Sequence, residues 1–212
     1  MALHRLFPHQ LYLVISEADC MGRPLLSVAE DAILGGVDIL QLREKNSTTS
    51  EFLQKAMLLK ELTDKYGIPL IINDNLEVAE QASADGIHVG NSDATPLSIR
   101  VQTFFRTRMI GYSIEHLSQL TNEHTDVSDY LGISPVFSTP TKKDTITQWG
   151  LEGIEKIRSL TDKPLVAIGN INLTNATSII AAGANCLAVV SAICAAKNPQ
   201  KAAYELKNKL LK

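Results

Sequence analysis

The stretch Gly36-Val-Asp-Ile-Leu-Gln-Leu-Arg-Glu-Lys45 decides how the rest of the chain is read. Its glycine and aspartate lie between a helix-like segment and a β-type run, where C-cap chemistry belongs. If the strand continues past Leu42, period-two geometry puts Gln41, Arg43 and Lys45 on one side, with Leu40 and Leu42 on the other. A strand that is apolar on one side and gathers donors at its end suits emergence at the mouth of a barrel. Two cations there need an anion, from a ligand or from a neighbouring Asp or Glu.

Working outward, the same alternation of short apolar run and longer segment covers the sequence. The other runs are Leu11-Tyr-Leu-Val-Ile15, Leu70-Ile-Ile72, Gly86-Ile-His-Val89, Met109-Ile-Gly-Tyr112, Tyr130-Leu-Gly-Ile133, Leu165-Val-Ala-Ile168 and Cys186-Leu-Ala-Val-Val190. With the stretch from Asp38 to Arg43 they number eight. Residues 51–66 between two of them place Phe52, Ala56, Leu59 and Leu62 at helical steps, and Gly183-Ala-Asn185 repeats the helix-to-strand signal. Strand starts recur at roughly the length of one βαβ crossover. No Gly/Ser linker or charge run interrupts the series, and no Gly-x-Gly-x-x-Gly follows the first run, which leaves a dinucleotide fold without support. The expectation is α/β: a single-domain (β/α)8 TIM barrel spanning residues 1–212.

Composition narrows the function classes. Twenty Lys+Arg against 23 Asp+Glu give a net charge of −3, and a pI near 6.0 argues against nucleic acid or an anionic membrane as partner. No run approaches the ~20 apolar residues of a membrane span, and residues 1–10 lack the apolar stretch of a secretory signal. Cys20, Cys186 and Cys194 form an odd set without ligand-like spacing, which fits a reducing cytosol. A soluble cytoplasmic enzyme or binding domain is expected.

In a barrel of this kind chemistry sits just after the strands. The third run ends in Asn73-Asp74 and the fourth leads into Gly90-Asn-Ser-Asp93, so two carboxylates on adjacent strand ends can share one hard divalent cation. Alternatively, Asp93 caps the helix starting near Pro96. His88, within its strand, reads as a buried, hydrogen-bonded structural residue. The fifth run ends at Ser113. The sixth leads into a loop where Thr139, Pro140, Thr141 and Lys142 can set hydroxyl and ammonium donors around a phosphate, or form a polar lid. The last two end in Gly169-Asn170 and Val190-Ser191, where phosphate-binding barrels place backbone amides.

These signatures together resemble the thiamine-phosphate synthase family from Leu11 to Ala203. They are Gly35 to Lys45, Ile72-Asn-Asp74, Asp85 to Gly90, Asp129-Tyr-Leu-Gly132, Thr139-Pro-Thr-Lys142, Ala167-Ile-Gly169 and Val190-Ser-Ala-Ile193. The resemblance implies a transferase that joins hydroxymethylpyrimidine pyrophosphate to a thiazole phosphate and releases pyrophosphate by dissociative substitution. It implies that Gln41, Leu42, Arg43, Glu44, Lys45, Asn73, Ser113 and Lys142 hold the pyrimidine pyrophosphate, with Arg43, Lys45, Ser113 and Lys142 catalytic. Asp74 and Asp93 would bind Mg2+, and Thr139, Pro140, Thr141, Asn170, Val190 and Ser191 would hold the thiazole phosphate. Partners are then small phosphorylated molecules, with the oligomeric state left open, a homo-oligomer included. Asn170 stands where the family has a second Gly, Ser134 where it has Gly before Pro135, Asn91 where it has Gln, and Ser113-Ile-Glu-His116 where it has Ser-Val-His. The alternatives are a thiazole tautomerase, whose histidine position is Glu115 here, and a non-catalytic phosphate-ligand sensor on the same fold.

Overall fold

The computed structural model describes residues 7–138 and 147–211. Eight parallel strands close into a barrel in sequence order: β1 (Leu11–Ile15), β2 (Ile39–Leu42), β3 (Leu70–Asn73), β4 (Gly86–Val89), β5 (Met109–Ile114), β6 (Tyr130–Ile133), β7 (Leu165–Ile168) and β8 (Cys186–Val189). The helices are α1 (Leu25–Leu34), α2 (Thr49–Tyr66), α3 (Leu76–Gln81), α4 (Pro96–Arg100), α5 (Glu123–Val127), α6 (Gly150–Arg158), α7 (Ala176–Ala181), α8 (Ser191–Cys194) and α9 (Pro199–Leu210). Strand β8 pairs with β1, with Leu11 opposite Leu187. The (β/α)8 expectation holds, and the runs read from sequence fall within two residues of these strands.

Period-two alternation splits every strand between two cores. Outward residues such as Leu13, Leu40, Leu42, Ile72, Ile87, Ile110, Leu131, Leu165 and Leu187 pack under the helices. Each such side chain stabilises the fold by about 1.5–3 kcal/mol on full burial. Tyr12, Val14, Ile39, Ile71, Tyr130, Val166, Cys186 and Ala188 point inward and fill the barrel with a second, smaller cluster.

A repeated device fixes the register at the strand starts. The residue before each even-numbered strand accepts a backbone N–H at or next to the start of the strand before it. Asp38 Oδ1 takes Leu11 N at 3.1 Å, Asp85 Oδ2 takes Leu70 N at 2.9 Å, and Asn185 Oδ1 takes Leu165 N at 2.9 Å. Asp129 Oδ2 takes the N–H of Ile110, one residue into β5, at 2.7 Å. Each acceptor satisfies a backbone donor that the barrel's end would otherwise leave unpaired. Thus the Asp and Asn after the helix-ending glycines act across the barrel's lower rim as well as in their own turns.

Inside, Gly111 and Gly132 make room for larger neighbours. A Cβ at Gly111 would lie 2.2 Å from Tyr130 Cζ and 2.4 Å from His88 Nδ1, and one at Gly132 would lie 2.9 Å from His88 Cε1. Neither ring can retreat, because each is walled by the closed sheet. Gly111→Ala should therefore cost about 1–3 kcal/mol by overpacking and lower the melting temperature by several degrees. Thermal unfolding followed by circular dichroism checks this, and an unchanged melting point would mean that the interior is looser than described.

Candidate active site

The C-terminal ends of the strands open on a cavity of about 470 Å3, with residues from all eight strand ends in its wall. Gln41, Asn73 and Ser113 are buried at its base. Arg43 and Lys45 lie just beyond β2 and line its side. Among the described residues the Arg43 guanidinium has no hydrogen-bonding or ion-pair partner, so its charge is available to an anion in the cavity.

Lys45 is committed differently. Its Nζ pairs with Asp74 Oδ2 at 2.5 Å, with half of the lysine side chain exposed. Such a pair is worth only about 0–1 kcal/mol, so a more highly charged partner can displace it. Asp74 leaves β3 with φ +61°, a left-handed conformation unusual for a non-glycine residue. Its N–H is tied to the His88 carbonyl at 2.9 Å. Backbone strain of this kind, held by a neighbouring strand, is what a positioned side chain requires.

Asp93 reaches the same spot from the loop after β4. Its Oδ2 accepts the Gly90 N–H at 2.8 Å. It does not cap the following helix: Thr95 does, accepting from Ser98 N at 3.3 Å. Burial raises the Asp93 carboxyl above the ordinary aspartate range; the Gly90 N–H opposes the shift and Asp74, hydrogen-bonded to it, adds to it. No cluster of three or more metal-ligating His, Cys, Asp or Glu occurs among the described residues. Mg2+ does not need one, since it commonly takes one or two carboxylates and completes its shell with water and substrate phosphate oxygens. The Asp74–Asp93 pair fits that chemistry.

Across the cavity run the loops after β7 and β8. Gly169 (φ +118°) lets the chain pass close to the next loop, because a Cβ there would lie 2.7 Å from Pro135 Cβ. Asn170 follows at φ +52°, the left-handed geometry that Asn tolerates better than most residues. Its carbonyl accepts from Asn175 Nδ2 at 2.9 Å. The N–H groups of Asn170, Ile171, Ser191 and Ala192 have no backbone acceptor among the described residues, and all four residues line the cavity.

Other expected site residues are placed differently. Leu42 is fully buried in the outer core, and Glu44 turns away from the cavity. Burial would raise the Glu44 carboxyl, but bonds from Ser47 Oγ, Glu17 N and Lys55 Nζ outweigh it and hold it low. Both could reach a ligand only through the backbone. Thr139, Pro140, Thr141 and Lys142 lie outside the described residues. Tyr12, Asp19 and Tyr130, which the sequence did not mark as site residues, also line the cavity, as does Asn91, which stands where the family has Gln. The phenols were legible only as inward positions on their strands, and Asp19 carried no signal.

A family model described as thiamine monophosphate synthase matches residues 11–193. The chain is 45% identical over 203 residues to a thiamine-phosphate synthase of Albidiferax ferrireducens, covering 96% of this chain and 92% of that protein. It is 43% identical over 202 residues to one of Leptospira biflexa, covering 93% and 96%. Its fold is similar to a solved thiamine phosphate pyrophosphorylase from Pyrococcus furiosus, with TM-score 0.86, 30% identity and 95% of each chain covered.

The carboxylate pair carries a stability consequence. Because the folded state raises the Asp93 carboxyl, its ionisation costs stability at neutral pH, and that cost is relieved as pH falls through the raised value. In metal-free buffer at pH 7, Asp93→Asn should melt up to about 3 °C above the parent, with the gain shrinking on acidification. Scanning calorimetry across pH checks this, and a variant less stable at neutral pH would contradict the described crowding.

Proposed function

The chain belongs to the thiamine monophosphate synthase family, and from that premise we propose how its cavity joins a hydroxymethylpyrimidine pyrophosphate to a thiazole phosphate to give thiamine phosphate and pyrophosphate. The observation that carries this reading is the separation of two anion-binding sides within one cavity. Arg43, Lys45 and the Asp74–Asp93 pair stand on one side, and the amides of Asn170, Ile171, Ser191 and Ala192 on the other. A reaction that brings together a pyrophosphate ester and a phosphate monoester needs both.

The bond from the pyrimidine methylene carbon to the pyrophosphate oxygen breaks first, and pyrophosphate leaves with the electron pair. The thiazole nitrogen then donates its lone pair to the resulting cation. No proton moves in either event, so the site needs neutralisation of the leaving group more than a placed base. Arg43 binds the pyrophosphate, and Lys45 exchanges Asp74 for it as charge builds up. The resemblance adds Lys142 to this set. Asp74 and Asp93 would hold Mg2+, which when bound supplies further neutralisation of pyrophosphate oxygens. Gln41, Asn73 and Ser113 hold the pyrimidine, while the amides near Asn170 and Ser191, with Thr139 and Thr141, hold the thiazole phosphate. No helix among the described residues is long and apolar enough to cross a membrane, and a cytoplasmic location accords with substrates of this charge.

The direct assay uses purified protein, both phosphorylated halves and Mg2+, with detection of thiamine phosphate. Isomerisation of the thiazole alone, without pyrophosphate release, would favour the tautomerase reading instead. Within the synthase reading, Arg43→Ala should lower the single-turnover rate at saturating substrates by about 10²–10³, since a donor aimed at developing charge is worth roughly 3–4 kcal/mol. Pyrimidine affinity should fall much less. A variant that reaches the parent rate at saturation would make Arg43 a binding residue only.

A further inference from the structure

Five side chains from five strands form one unbroken line of hydrogen bonds inside the barrel. Gln41 Nε2 donates to the Tyr12 hydroxyl at 2.8 Å. The Tyr12 and Tyr130 hydroxyls lie 3.0 Å apart, Tyr130 Oη is 3.1 Å from His88 Nδ1, and His88 Nε2 is 2.9 Å from Ser113 Oγ. His88 and Tyr130 stack with ring centroids 5.6 Å apart, in the space that Gly111 and Gly132 leave. All five residues line the cavity. A polar line through the centre of a barrel displaces packing that apolar residues could supply, and it is tolerable only when every member is satisfied.

Counting donors gives the line a direction. Tyr12 already accepts from Gln41. If it also accepted from Tyr130, its own proton would have no acceptor among the described residues, a costly state for a buried hydroxyl. Tyr12 therefore donates to Tyr130, Tyr130 to His88 Nδ1, and His88 Nε2–H to Ser113. Burial, foremost among the influences on both phenols, raises them far above their ordinary range, so each keeps the proton this scheme needs.

We propose that this line is a donor–acceptor relay, with His88 held as the neutral Nε2–H tautomer, that makes the cavity selective for a 4-aminopyrimidine over its 4-oxo counterpart. The proposal rests on the reading that Gln41 and Ser113 hold the pyrimidine. Run in this direction, the relay leaves two groups for a ligand: Gln41 Oε1 as acceptor and the Ser113 hydroxyl as donor. A 4-aminopyrimidine offers the matching pair, an amine N–H and ring-nitrogen lone pairs. The 4-oxo form reverses the polarity along that edge, with a carbonyl acceptor and a ring N–H. Meeting it would require the Gln41 amide to turn over and every hydroxyl in the line to reverse. His88 and Tyr130 thus act as positioning residues, through Ser113 and Gln41.

Tyr130→Phe tests the relay, because it removes one hydroxyl and keeps the ring packed on His88 and Phe7. The amino- and 4-oxopyrimidine pyrophosphates are compared by kcat/KM at saturating thiazole phosphate. The preference for the amino substrate should fall about 10–100-fold, with KM for thiazole phosphate unchanged. In parallel, 15N NMR of the His88 ring should find the proton on Nε2 in the parent protein, with that bias lost in the variant. Should Tyr130→Phe fail to fold, Tyr12→Phe breaks the adjacent link and takes its place. A parent His88 protonated only at Nδ1, or a preference that survives the variant while Ser113→Ala still weakens pyrimidine binding, overturns the relay alone. If Ser113→Ala leaves pyrimidine binding untouched, the placement on which the relay rests is wrong.

Discussion

Everything in this molecule follows from one constraint: in a closed barrel, every second residue of each strand must live inside it. The outward half can be uniformly apolar because helices cover it, and Leu40, Leu42, Ile87, Leu131 and Leu165 are. The inward half has a fixed, narrow volume. There, side-chain size at one strand is decided by its neighbours, so Gly111 and Gly132 are as necessary as Tyr130 and His88. The same alternation carries inward positions up to the mouth, where Gln41, Asn73 and Ser113 exchange packing for hydrogen bonding.

The second consequence is a sorting of charge by height. The lower rim uses Asp38, Asp85 and Asp129 to pair backbone donors and fix register. The upper rim puts Asp74 and Asp93 side by side, where Asp93 is raised by burial and its neighbour. Carboxylates below stabilise the fold. The pair above carries a cost, and a proposed Mg2+ or the half-exposed Lys45 ammonium offsets it. A site poised in this way favours highly charged ligands, which is the thermodynamic sense of placing it at the open end.

Much of this was legible in the residues. The eight runs could be read because β-rich segments bounded by Gly, Asn and Asp are local signals. Pairings distant in sequence were not. Lys45 and Asp74 are 29 positions apart, and nothing near either one announces the other. Asp38 and Asn185 could be read as turn residues, but not as acceptors for a strand some 20 or more residues away. Asp93 could be read as a possible helix cap because loop acids often are, yet Thr95 has the better geometry. His88 was read as a buried, hydrogen-bonded structural residue; its bonds to Tyr130 and Ser113 are present, but it is only half-buried because it stands at the cavity wall.

In the proposed reaction one cavity holds two phosphorylated groups on opposite sides, and Lys45 passes from Asp74 to pyrophosphate. A crystal structure of the protein with thiamine phosphate, pyrophosphate and Mg2+ tests this arrangement most directly. Pyrophosphate should then lie on Arg43 and Lys45, Mg2+ between Asp74 and Asp93, and the product phosphate on the amides around Asn170 and Ser191. Pyrophosphate seated on the Asn170 side, or Lys45 still paired with Asp74 in that complex, would contradict it.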